Sequence, residues 1–553
     1  MSDFYLAQAP TGDDGTGAAD DSSLPFATFN GIESAGLGNG DRIIILGDYE
    51  IGSGDNSGFI DIDDDYSVEG ASGVNPVITG NNTSGTSRVL RVSSSAVDTD
   101  CTRFANLVAD GRGSITRTIE IPGDTSGTAP ERQLVRSVTA RGGSASNFYV
   151  GIREGLIEFI DIATSGDVFY GLNTATTTAG VDAVTQINVR GFRVGDINLT
   201  STSGGLISVQ RATAASHDVN VLFENMVGTA EYSGGSGGMM FVRMEGADAP
   251  VIKDCDLRLV SNGPSTNTGI SIDGNSGNTT DNAVVVGNIL EFIAETGHAM
   301  RLGDDTNTYA ETGNFVGNWV MGEYYAGSTP HGISLAYHSN GSIFGNVVRN
   351  TYAAILVSRT SGCRVVGNLT YDCYGPNLYV KGAGHSGTGA SAHADNTIAN
   401  NICVVPSSTL MRNYGVIAVN SQDSGTYDTT YASITGNTVI VQDPVGLFDR
   451  NGSLASINTD QVCEMNQNVY IIPKDVVDVS SDDLFELDSA LSGPNARLDE
   501  WQADSRVNGD RIIELPQAEI DELVEYYGEL AARPGTGGSN LGMTLPLLTA
   551  LGI

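Results

Sequence analysis

Between residues 205 and 437 the chain repeats a short pattern of apolar and polar positions. One motif reads small-apolar-x-apolar: Gly205-Leu-Ile-Ser-Val209, Gly238-Met-Met-Phe-Val242, Gly269-Ile-Ser-Ile272 and His298-Ala-Met-Arg-Leu302. It continues with Gly332-Ile-Ser-Leu335, Ala354-Ile-Leu-Val357, Asn377-Leu-Tyr-Val380 and Gly415-Val-Ile-Ala-Val419. The final residues of successive copies lie 33, 30, 30, 33, 22, 23 and 39 positions apart. Alternate residues of a strand face the same side. Ile207, Met240, Ile270, Met300, Ile333, Ile355, Leu378 and Ile417 therefore share one facing, and all are apolar. Ser208, Phe241, Ser271, Arg301, Ser334, Leu356, Tyr379 and Ala418 share the other and are mixed. The first row is expected to point inward and the second outward. Strands are predicted at 206–209, 239–242, 270–272, 299–302, 332–335, 354–357, 378–380 and 416–419, parallel and stacked in one sheet.

A second motif, apolar-x-Gly-Asn, alternates with the first. It appears at Val285–Asn288, Phe315–Asn318, Ile343–Asn346, Val365–Asn368 and Ile434–Asn437, with degenerate copies at Leu222–Asn225, Ile252–Cys255 and Ile398–Asn401. Gly and Asn both tolerate left-handed backbone angles, so the pair suits a tight corner. Stacked asparagines can then hydrogen-bond from coil to coil. The order strand, corner, strand, corner with a minimal period of about 22 residues fits neither helical repeats, leucine-rich repeats nor propeller blades. It predicts an all-β chain, a right-handed parallel β-helix solenoid with an N-terminal cap and a short, partly helical C-terminal segment. The expected divisions are a cap at 1–50, the β-helix at 51–475, and a helical segment with an apolar tail at 476–553. Pro516 sits at a first helical turn, followed by apolar residues at helical spacing.

The start of the chain carries a resemblance. Gly15-Thr-Gly-Ala-Ala-Asp-Asp-Ser-Ser-Leu-Pro-Phe-Ala-Thr28 leads into Gly40-Asp-Arg-Ile-Ile-Ile-Leu46. This is similar to the opening of many members of the pectate-lyase-like parallel β-helix superfamily: a Gly/Asp-rich start, a Pro-Phe-Ala-Thr turn, a short helix, then a strand. Phe4-Tyr-Leu-Ala-Gln8 with Thr11-Gly-Asp-Asp-Gly15 resembles the starts of phage-encoded tailspike and tail-fibre members. The resemblance spans residues 1 to about 475 and is far more specific for fold than for function. It implies a virion-exposed protein that binds a host surface glycan, with other virion proteins as neighbours.

Composition narrows the rest. The 553 residues carry a net charge of −38. A surface this acidic repels phosphate backbones and anionic lipid, so no nucleic-acid partner and no membrane insertion are expected. The six cysteines form no CxxC pair, and buried reduced thiols in a protein assembled in a host cytoplasm are expected. The first residues show neither a basic nor an apolar leader. That pattern suits release by lysis into a virion better than secretion.

No Gly-x-Ser-x-Gly, HExxH or Walker signature occurs, so no catalytic residue is assigned and no cofactor is implied. The acidic clusters Asp13-Asp14, Asp61–Asp65 and Asp304-Asp305 read as solvated turns, with a bound calcium ion as the alternative. His298 and His331 fall at equivalent points of successive coils and are expected to be neighbours. Sugar binding uses aromatic faces, and acidic sugars need cations. The candidate glycan contacts are Arg243, Asp273, His298, Arg301, Asp304, His331, Tyr337, Arg359 and Tyr379, on the outer face of the coils. Lys381 adds to the scarce positive charge there. Outward Phe241, Leu356 and Tyr379 suggest a homotrimer. The competing readings are a secreted polysaccharide lyase or hydrolase and a purely structural virion protein.

Overall fold

The computed structural model describes residues 2–9, 11–52, 55, 58–80, 88–93, 101–121, 132–151, 155–175, 184–201, 204–210, 218–234, 238–274, 279–303, 312–323, 329–336, 340–358, 360–381, 395–407, 415–420, 432–448, 452–458, 463–480, 482–487 and 496–534. The chain is an all-β parallel β-helix. It divides into two compact units, residues 1–265 with 270–281, and residues 266–269 with 282–553.

In the first unit Thr28 caps the helix Phe29–Ser34, its side chain accepting from the Gly31 amide. The Asp14 carboxylate accepts from the amides of Ala27 and Thr28 and from the Thr28 hydroxyl, which fixes the turn ahead of the helix. Strand Asp3–Leu6 pairs in parallel with Arg42–Ile45, the first step of the stack. Further along, the long strands Cys101–Ile121 and Arg132–Gly151 each bend through a whole coil and pair along most of their length. Glu158 is bracketed by Arg132 and Arg190, and Glu224 by Arg190 and Lys253, so charges alternate up the coils.

In the second unit each coil contributes three strands. The first sheet stacks Thr296–Leu302, Thr329–Ala336, Ile355–Ser358, Leu378–Lys381, Gly415–Asn420, Ser453–Asn458 and Phe485–Leu487. Met300, Ile333, Ile355, Leu378, Ile417, Ala455 and Phe485 stand in one column, and all are buried. The register predicted from the apolar rows holds through this unit. The small residue that opens the motif has a steric cause: a Cβ on Gly332 would lie 2.3 Å from the Ala354 carbonyl oxygen.

Two corrections concern these rows. In the first unit Ile207 pairs with Val242 rather than standing level with Met240. Phe241 is therefore fully buried and Met240 only half-buried, the reverse of the expectation. The row expected to face solvent is buried as well: Ser208, Phe241, Ser271, Arg301, Ser334, Leu356, Tyr379 and Ala418 are each at most 5% exposed. An interface built on outward Phe241, Leu356 and Tyr379 is thereby excluded, since none of the three offers a surface. Periodicity reports only which side of a strand a residue is on. It does not report whether that side is covered.

The second sheet ends at the Gly-Asn corner. Gly287, Gly317, Gly345, Gly367 and Gly436 take φ between 60° and 67°, and Asn400 and Gln467 fill the same place with φ of 55° and 57°. The asparagine that follows does not adopt a left-handed angle. It turns inward and is buried, as Asn288, Asn318, Asn346, Asn368, Asn401, Asn437 and Asn468. Each side-chain amide donates to the carbonyl oxygen of the next at 2.8–3.0 Å. Asn468 and Asp510 belong to this column, although neither was singled out by the motif. At the degenerate copies of the first unit Asn225 and Asp254 take the glycine's left-handed place, and Met226 and Cys255 occupy the asparagine's. The alignment at Leu222–Asn225 is thus one residue off.

The third sheet, absent from the sequence-based expectation, runs from Ile289–Ala294 to Arg511–Leu515. Its outer face is apolar and lies under the helix Gln517–Leu530. Ile520, Leu523, Val524 and Tyr527 of the helix pack on Trp319, Val347, Leu369, Ile402, Val404 and Ile471. The Trp319 indole N–H donates to the Ala531 carbonyl at 2.9 Å, which pins the helix end. The helix falls within the predicted C-terminal segment, and the apolar tail at 543–553 lies outside the described residues. Among those described, no helix is long and apolar enough to cross a membrane. Cys255, Cys363, Cys373, Cys403 and Cys463 are free and buried, as expected for reduced thiols.

Candidate functional site

The described candidates of the second unit, His298, Arg301, His331 and Tyr379, gather on the outer side of its first sheet. Strand alternation places Arg301, Ser334, Leu356, Tyr379 and Ala418 in one column. His298 and His331 are paired three residues earlier on the same two strands. Their rings stack with centroids 5.1 Å apart and planes 23° apart. His298 Nδ1 lies 2.8 Å from the Ser334 hydroxyl. Tyr352 sets its ring edge-on to His331 at 5.7 Å. The Lys381 ammonium stands 5.2 Å from the Tyr379 ring centre, a cation–π contact. Ala353, Leu356, Tyr379 and Ala418 form the apolar floor, with Tyr352 against it.

Burial pushes the His298 pKa well down, and the neighbouring His331, Arg301 and Lys381 add to the effect. Burial also lowers His331, to about 3, assisted by the Lys381 charge. Both imidazoles are neutral at pH 7 and sit in a positive field. Arg301, Tyr379 and His298 are buried, whereas His331, Tyr352 and Lys381 are partly exposed. The accessible part of the strip is thus an imidazole, a phenol and an ammonium, backed by a guanidinium.

The remaining candidates lie elsewhere. Arg243, in the first unit, is ion-paired with Glu245. Asp273, also in the first unit, is 3% exposed, and its carboxylate accepts from the Ser271 hydroxyl at 2.6 Å. Asp273 is thus buried, with one carboxylate oxygen held by the Ser271 hydroxyl of its own strand, where the glycan-contact reading needs an accessible group. Asp304, Tyr337 and Arg359 lie outside the described residues. The acidic cluster at 304–305 lies there too. Asp13 is satisfied by the Gly15 amide and the Thr16 hydroxyl, and Asp65 pairs with buried Arg103. Among the described residues no group of three His, Cys, Asp or Glu side chains could hold a metal ion.

Tyr352 went unnoticed in the sequence. It immediately precedes the Ala353-Ala354 start of a motif copy, and the short coil of 22 residues between Ile333 and Ile355 brings it against His331.

No family model matches the chain, and no curated protein matches it. Solved structures do align along most of its length. One is a mannuronic acid specific polysaccharide family 6 lyase from human gut microbiota, at 10% identity and a TM-score of 0.33, covering 92% of this chain and 94% of that one. Another is the GH136 lacto-N-biosidase from Eubacterium ramulus, at 10% identity and a TM-score of 0.25, covering 93% of this chain and 68% of that one. At such identity and overlap neither bears on what this chain binds. The class rests on the parallel stacking itself, which defines a parallel β-helix with a cationic and aromatic strip on one sheet.

Proposed function

We propose that this protein is a virion-exposed, glycan-binding β-helix of the tailspike or tail-fibre type, and that it binds an acidic polysaccharide of a host surface. The observation that carries this is the positive field at the strip. Arg301 and Lys381 both act on His298, on a chain whose net charge is −38. Scarce cations placed beside two histidines and two tyrosines suit a carboxylated or sulfated sugar. The ammonium pairs with the anion, the aromatic ring stacks on the sugar face, and neutral imidazole nitrogens accept from hydroxyls. The virion assignment is supported by the opening residues Phe4–Gln8 and Thr11–Gly15.

The test is binding of the purified protein to an acidic and a neutral polysaccharide at two salt concentrations. The acidic chain should bind, and binding should weaken at high salt. Lys381→Ala and His331→Ala should each weaken it about 10-fold, equivalent to about 1.4 kcal/mol. Folded variants that bind like the parent would remove the strip from the site. A parent that binds neither glycan favours a second reading, a structural virion component. The observation on that side is the burial of Arg301 and Tyr379.

A further inference from the structure

The first unit carries a polar column on the outer side of one of its own sheets. That sheet stacks Ile60–Ile62, Arg88–Val92, Cys101–Ile121, Arg132–Gly151, Tyr170–Ala175, Gly205–Gln210 and Met240–Glu245. Its inward row, from Ile60 to Val242, is buried. The next residue of each strand faces the other way, and these stand in register as Asp61, Arg91, Glu120, Tyr149, Asn173, Ser208 and Arg243. None is aliphatic, so nothing in the column would hold an apolar partner. Its cations meet carboxylates on the same face. Arg91 lies 3.7 Å from Asp61, Glu120 pairs with both Arg88 and Arg117, and Arg243 pairs with Glu245. The Arg117 guanidinium stands 3.4 Å from the centre of the Tyr149 ring and fixes it in place. Four polar atoms of the column are buried and make no hydrogen bond among the described residues. They are Asp61 Oδ1 and Arg91 Nε toward one end, and Ser208 Oγ and Arg243 Nε at the other. Ser208 itself is 2% exposed. Folds rarely leave buried polar atoms unsatisfied, and four on one column point to a partner that the chain does not supply.

We infer that this face of the first unit binds an uncharged oligosaccharide. The mixture of groups decides the ligand. A carboxylate oxygen only accepts, the two Nε atoms only donate, and a serine hydroxyl does both. A sugar hydroxyl also does both, so adjacent hydroxyls can donate to a carboxylate and accept from the guanidinium beside it. An anionic ligand would satisfy the donors but meet Asp61, Glu120 and Glu245, and a cationic one would meet the arginines. Seven strands at about 4.8 Å give a run of about 29 Å, too long for a single sugar and suited to an oligomer. The histidine strip of the second unit differs in kind, since the field on its imidazoles is positive. Binding at the first unit is independent of whether that strip takes an anion.

The experiment is saturation-transfer NMR of the full chain with neutral hexasaccharides of glucose, galactose, mannose, rhamnose and N-acetylglucosamine. Each is titrated to about 5 mM, enough to detect a Kd in the millimolar range. At least one should bind, and equally in low salt and in about 0.5 M salt, since no net charge is matched. An excess of an acidic polysaccharide should leave it bound. Asn173→Ala and Arg243→Ala should each weaken the binding about 10-fold, with circular dichroism confirming the fold of each. If Arg243→Ala does not fold, Arg91→Ala takes its place. Binding of none of the five overturns the inference. So do loss of binding at high salt, displacement by the acidic polysaccharide, and folded variants that bind like the parent.

Discussion

His298 and His331 show how position decides what a titratable group does. A free imidazole titrates near 6.5. In the fold burial and the cations beside them hold both rings neutral, His331 down to about 3. A base whose folded pKa is depressed binds its proton more readily in the unfolded chain. Its contribution to stability is thus complete above about pH 6.5 and is lost as pH falls from there toward about 3. The urea midpoint should drop across that window, with up to two protons taken up on unfolding. His331→Gln should remove close to one proton from that uptake, and an unchanged slope would contradict the neutral pair. Ile333 makes the complementary point. It is fully buried between Met300 and Ile355, so Ile333→Asp would place a carboxylate in an apolar stack without a partner. A loss of more than about 4 kcal/mol is expected, read as failure to fold or a collapse of the melting temperature.

The asparagine ladder sets the character of the elements. Asn368 donates to Asn401 and to the Ile343 carbonyl, and its own oxygen accepts from the backbone and side chain of Asn346. Such a ladder has a direction, since every member donates forward, and its last member has no amide ahead to donate to. Asp510 fills that place as an acceptor. It receives the backbone and side-chain N–H groups of Asn468 on one oxygen, and the Tyr470 hydroxyl and Trp501 indole on the other. Burial raises its pKa while these donors oppose the rise. Asp510→Asn is nearly isosteric, yet it sets an amide N–H against the indole N–H at one of the two oxygen positions. It should cost about 1–3 kcal/mol, seen as a lower urea midpoint, whereas a neutral or stabilising result would contradict the acceptor-only role. The helix Gln517–Leu530 answers a different need. It covers apolar outward residues of the third sheet that water would otherwise meet.

For the molecule as a whole, each coil buries its apolar row only against the coils on either side, so stability grows by stacking. An acid-rich exterior of this kind opposes self-association and repels anionic ligands. The histidine strip, with Lys381 and Arg301 beside it, is the exception proposed for anionic ligands.

The sequence by itself determined the repeat, the parallel stacking and the register of the first sheet from Met300 to Ile417, because a period-two apolar row admits one inward facing. It also placed His298 beside His331 and foretold the hydrogen-bonded asparagines, since equivalent positions of stacked coils must meet. Tertiary structure decided the rest. The covering of Arg301 and Tyr379, the shift that buries Phe241 and half-exposes Met240, the closure of the ladder by Asp510 and the exposure of Phe344 all depend on what packs against a strand from outside the repeat. Residue spacing carries the facing of a side chain, and only contacts distant in sequence settle whether that face meets water.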